Sequence, residues 1–212
     1  MKNFIHTKLR IAVGIVALFA ITSACDSDGD SVGVSTVTYF PSFEIVDGEN
    51  VVVEVGDDFA PDAIVMEGET ELEPTIDTDL NMNVPGIYSV VYSAVNSDGY
   101  AGTATQEVVV YDPTIVPTNV VGSIVDANNA SRTGTISLVE GTTNLFLGSD
   151  MGFGGVFPLY FQMDGDEMTV IPQTFAAGFG VETVEANYTP GTKQFFVRIL
   201  PQNFTYTFKL TQ

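Results

Sequence analysis

Alternation with a period of two dominates the chain. In residues 87–95, Tyr88, Val90, Tyr92 and Ala94 fall on one face of an extended segment, and Pro85 and Gly86 supply the turn before it. Asp98 and Gly99 then mark a hairpin, and residues 103–111 return as a second strand. Upstream, Val51, Val52, Val53 and Val55 form a β-branched run that ends at Gly56, Asp57 and Asp58, and residues 63–66 make another short apolar segment. Residues 40–45 open this first unit. Residues 67–73 alternate acid with neutral positions and suit an exposed hairpin. No segment combines helical caps with a 3.6-residue period. Short strands about ten residues apart predict an all-β fold, and a β-sandwich for this half.

Beyond residue 119 the pattern continues in a more aromatic register. Strands are predicted at residues 120–125, 134–139, 144–148, 156–163, 168–171, 181–188, 195–200 and 206–210, with turn signals at Asp164, Gly165, Pro190 and Gly191. Such a series implies a second antiparallel β domain, either a meander sandwich or a small barrel. Between the two halves, Pro113 and Pro117 flag residues 113–118 as a stiff linker. The expected organisation is a signal peptide over 1–24, an acidic tether over 25–38, a first β domain over 39–112, the linker, and a second β domain over 119–212.

The N-terminus departs from this pattern. Lys2, Lys8 and Arg10 precede an apolar run over residues 11–21, and Thr22, Ser23 and Ala24 lead into Cys25, the only cysteine. The run is too short to cross a bilayer, which takes roughly 20 residues, but it suits a secretory signal. Small residues directly before a lone cysteine resemble the lipobox of bacterial lipoproteins, although Thr22 stands where that pattern favours an aliphatic residue. The resemblance implies lipidation at Cys25 and anchoring in the outer membrane. The acidic stretch Asp26, Asp28 and Asp30 is similar to the export signal of Bacteroidetes surface lipoproteins, which implies a chain facing the cell exterior.

Charge narrows the partners. The whole chain holds 27 acidic and 7 basic residues, and loss of residues 1–24 leaves only Arg132, Lys193, Arg198 and Lys209 as bases, for a formal charge of −23. A chain so acidic repels phosphate backbones, so no nucleic acid is expected as a partner.

A second resemblance rests on Pro85, Gly86, Tyr88, Asp98, Gly99 and the Val108 to Val110 run. Together they look like the closing hairpin of bacterial surface immunoglobulin-like domains, with residues 43–62 similar to the opening strands. The second half, through residues 149–157, resembles the uncharacterised C-terminal β domain of Bacteroidetes surface lipoproteins. These resemblances imply spacer, adhesive or binding roles rather than catalysis.

The chemistry-bearing residues agree with that expectation. His6, the only histidine, lies in the signal, and no Ser, Thr or Lys sits in a nucleophile motif. The chain is therefore expected to be no enzyme and to need no organic cofactor. Calcium is the one ion in question, at Asp57, Asp58 and Asp62, because hard cations take oxygen ligands from loops. Phe153, Phe175 and Phe179 are the candidate ligand-binding rings, since residues 175–180 intersperse Phe with Gly and Ala as a loop would. The expected function is a binding or presentation module of the cell envelope, in its finer version capturing a glycan for a nutrient-uptake complex. A purely structural or adhesive surface protein without a small-molecule site is the alternative.

Overall fold

The computed structural model describes residues 37–153, 157–175 and 180–211. Cys25 and Phe179 lie outside them. Residues Tyr39–Gln212 form one compact unit. Every regular element among the described residues is a strand. Seven of them, β1 (Ser42–Ile45), β2 (Asn50–Glu54), β3 (Ala63–Glu67), β4 (Thr70–Leu72), β5 (Thr75–Thr78), β6 (Gly86–Val95) and β7 (Ala101–Tyr111), build two small sheets. One has the order β1-β3-β4 and the other β2-β7-β6-β5, with β2 running parallel to β7 and the other pairs antiparallel.

The predicted alternation in β6 sets the core of this sandwich. Tyr88, Val90, Tyr92 and Ala94 are all buried, and the first three pack with Val53, Ala63, Val108 and Val110. A tyrosine in such a core must bond its hydroxyl. Tyr88 Oη donates to Val84 O at 2.9 Å. Tyr92 Oη donates to Gln106 Oε1 at 2.8 Å, and Gln106 Nε2 donates in turn to Gly48 O at 2.9 Å. Burial holds the ionisation of both hydroxyls above the ordinary tyrosine value, with nearby carboxylates adding to the effect: Asp79 for Tyr88, Asp62 and Asp47 for Tyr92.

The remaining eight strands form one sheet in the order β12-β11-β10-β9-β8-β15-β14-β13. They are β8 (Gly122–Asp126), β9 (Asn129–Leu138), β10 (Leu145–Gly148), β11 (Leu159–Asp164), β12 (Glu167–Val170), β13 (Thr183–Thr189), β14 (Gln194–Leu200) and β15 (Phe204–Thr211). All neighbours are antiparallel, and β15 returns to pair with β8. The edge strands β12 and β13 lie against each other, so the sheet curls into a nearly closed barrel. Of the two predicted forms, the barrel is the one adopted. Its interior is filled by Phe146, Phe157, Phe161, Phe195 and Phe208 among aliphatic residues. Gly152 is required beside this core: a Cβ there would sit 2.5 Å from Phe157 Cδ1 and 2.8 Å from Ile199 Cδ1.

Sandwich and barrel meet across a small apolar seam. Val109 and Tyr111 of β7 pack with Leu145 and Ile171, and Ile87, Val139 and Tyr160 border them. This explains the unbroken burial of residues 108–111. One face of β7 is covered by the sandwich and the other by the barrel. The connecting residues 113–118 are tied down along their length. Asp112 Oδ1 accepts from Thr114 N and Thr114 Oγ1, which holds that carboxyl below the usual range. Asn144, fully buried, donates from Nδ2 to Asp112 O and Ile115 O. Thr118 N then donates to Gly165 O at 2.7 Å, and Gly165 N to Val116 O at 3.0 Å.

Candidate functional site

The groove of interest opens where β6 and β7 leave the barrel. In their antiparallel register Ser89 is opposite Glu107 and Ile87 opposite Val109. These residues, with Thr105 two positions from Glu107, share the face turned away from the sandwich core. At the Ile87 end this face is covered by the barrel. At the Ser89 end it is open. A groove of about 280 Å³ results, lined by Ser89, Thr105, Gln106, Glu107, Tyr160 and Gln173 among others.

Four hydrogen bonds tie its floor together. Ile87 N donates to Pro172 O at 3.0 Å, joining sandwich to barrel through backbone. The Gln173 amide then imitates a strand partner for Tyr160, its Oε1 accepting from Tyr160 N at 2.9 Å and its Nε2 donating to Tyr160 O at 2.7 Å and Ile171 O at 3.0 Å. Gln173 is thereby spent on positioning. Burial pushes the Tyr160 hydroxyl above its ordinary pKa, and the negative charge of Glu107 adds to the shift. Tyr160 thus stays a neutral donor and acceptor at physiological pH, beside a carboxylate that accepts. Glu107 is the one carboxylate among the described lining residues. A second concavity of about 270 Å³ lies beyond Gln173, lined by Val170, Pro172, Phe175, Glu182 and Thr183 with their neighbours.

The predicted rings take a different setting. Phe153 and Phe175 are half-buried against the barrel core. Phe175 stacks on Phe157 at 5.9 Å between centroids, and Phe153 meets Phe157 edge-on at 5.5 Å and Phe204 at 5.3 Å. The structure brings these two rings together through the buried Phe157, with Phe204 left 47% exposed at the rim. Asp57, Asp58 and Asp62 are exposed. Asp57 Oδ2 accepts from Glu54 N at 3.0 Å within its own turn. Among the described residues, no group of three or more His, Cys, Asp or Glu side chains is placed to hold a metal ion.

Sequence reasoning passed over both the groove and a cluster of exposed aromatics in the sandwich. Ser89, Glu107 and Tyr160 come from distant positions and carry no motif. Tyr39, Phe40 and Tyr100 are 55%, 62% and 52% exposed. Tyr100 directly follows the Asp98 and Gly99 turn, a place where an aromatic has no strand face to fill, and that was the available signal.

Comparison with known proteins finds a likeness for the sandwich. Residues 43–110 match the family model described as bacterial surface protein, Ig-like domain. Among solved structures, a lipoprotein from Bacteroides thetaiotaomicron is 22% identical, with 82% of this chain and 100% of that chain covered at a TM-score of 0.39. No curated protein matches the chain.

Proposed function

From the match of residues 43–110 to the bacterial surface Ig-like domain model, we propose that the chain is a non-catalytic binding and presentation module of the cell envelope. In this reading it is anchored in the outer membrane by lipid on Cys25 and faces the exterior. Its ligand is a neutral, hydroxyl-rich molecule, a glycan by class, captured for uptake with partner surface proteins. One observation carries the reading: Tyr160 beside Glu107 in a groove whose floor is held by backbone and amide bonds. A phenol and a carboxylate offer a donor and acceptors to sugar hydroxyls, and the ring adds an apolar face. The acidic surface disfavours anionic ligands.

A glycan array probed with the chain from residue 26 onward tests this. The expected result is a saturable hit that Tyr160→Phe and Glu107→Gln each weaken about tenfold, the equivalent of one hydrogen bond of about 1.4 kcal/mol. A blank array, or a hit indifferent to both substitutions, would favour the structural or adhesive alternative.

A further inference from the structure

The three exposed aromatics of the sandwich form one patch, fixed by contacts the core does not require. Phe40 and Tyr100 lie 5.3 Å apart between ring centroids at an interplanar angle of 54°. The Tyr39 ring covers Gly68, where a Cβ would come within 3.2 Å of Cδ2. Asn96, only 4% exposed, donates from Nδ2 to Tyr39 O at 2.8 Å and accepts at Oδ1 from Tyr100 N at 2.7 Å. Ser97 in turn bonds both carboxylate oxygens of Glu67. A buried asparagine thus ties the Tyr39 and Tyr100 backbones together beside a clamped turn, with the exposed Phe40 and Tyr100 rings packed on each other. Single exposed apolar side chains are ordinary, but a braced group of them marks a contact surface.

The occupant follows from where the patch sits on the chain. Tyr39 is fourteen residues after Cys25, so at about 3.3–3.6 Å per residue the patch lies within roughly 50 Å of that residue's lipid along the fully extended chain. Tyr, an apolar ring with a polar tip, is enriched at the membrane–water interface, and Phe adds apolar area beside it. We propose that the Tyr39, Phe40 and Tyr100 patch rests in the headgroup layer of the membrane that holds the anchor, orienting the sandwich on it. This inference rests on the lipid-anchor reading above. Glu67 and Asp98 beside the rings make a zwitterionic surface the better match, and salt should strengthen docking on an anionic one, the reverse of a polybasic contact.

The test uses the lipidated mature chain in phosphatidylcholine vesicles with a nitroxide on Asp98→Cys, compared with one on Gly191→Cys, a position with open space around it. The proposal expects the label at position 98 to lose accessibility to an aqueous nickel chelate and gain it to oxygen while the label at 191 stays aqueous. Phe40→Ser combined with Tyr100→Ser should abolish the difference, and because both rings are exposed the fold should survive. Vesicle-bound protein with both labels equally aqueous would overturn the docking and leave the anchor standing. Protein that remains in the supernatant would overturn the anchor and the docking with it.

Discussion

At the scale of single residues, the account turns on polar side chains in apolar surroundings. Tyr88, Tyr92, Tyr160 and Tyr188 all ionise above the ordinary tyrosine value, with burial as the first cause in each. A group whose folded pKa is raised keeps its full contribution below the unfolded value and loses it as pH rises through the folded one. Stability should therefore hold up to about pH 10 and fall above it. Denaturant midpoints between pH 8 and 12 check this, and a midpoint that does not move would contradict it. Gly152 makes the opposite kind of demand, for absence of a side chain. Gly152→Ala should cost about 1–3 kcal/mol through overpacking against Phe157 and Ile199, read by urea unfolding. The first glance at the sequence could find Tyr88 and Tyr92 by alternation. It could not find Gln173, whose role depends on an amide meeting the backbone of a residue thirteen positions away.

Among elements, what periodicity encodes was legible and what tertiary contact decides was not. All eight strands predicted after residue 119 have counterparts in β8 to β15, because each sends at least one apolar side chain into the barrel core, and β11 and β14 do so at every second position. β5 escaped notice since all four of its residues, Thr75 to Thr78, are exposed and an edge strand with no buried face has no apolar alternation to show. β9 begins at Asn129, earlier than predicted, for the same reason: residues 129–131 are exposed and have no buried apolar face to show, and Ser131 N donates to Asn129 Oδ1 at 3.1 Å. The long burial at the end of β7 reports the barrel pressed on its outer face. Gln173→Ala should free the β11 backbone at Tyr160 and cost about 1–3 kcal/mol, because the Tyr160 N–H loses its partner. Hydrogen exchange at Tyr160 checks the assignment. Faster exchange there with β6 unchanged is the expected outcome.

For the whole molecule, the notable feature is that the segment between sandwich and barrel is bonded at both ends rather than left free. Asn144 pins its start and Gly165 its end, and the apolar seam of Val109, Tyr111, Leu145 and Ile171 lies beside it. A groove between two modules can hold a ligand only if the modules keep their relation, and these contacts supply that condition. The two prolines read from the sequence suggested stiffness, but the clamp lies in partners far along the chain. The most direct measurement is amide chemical-shift mapping of the chain from residue 26 onward during titration with the strongest glycan-array hit. The account predicts shifts concentrated at residues 87–89, 105–107, 160 and 172–174. Shifts centred instead on Phe153, Phe175 and Phe204, or none at saturating ligand, would contradict it.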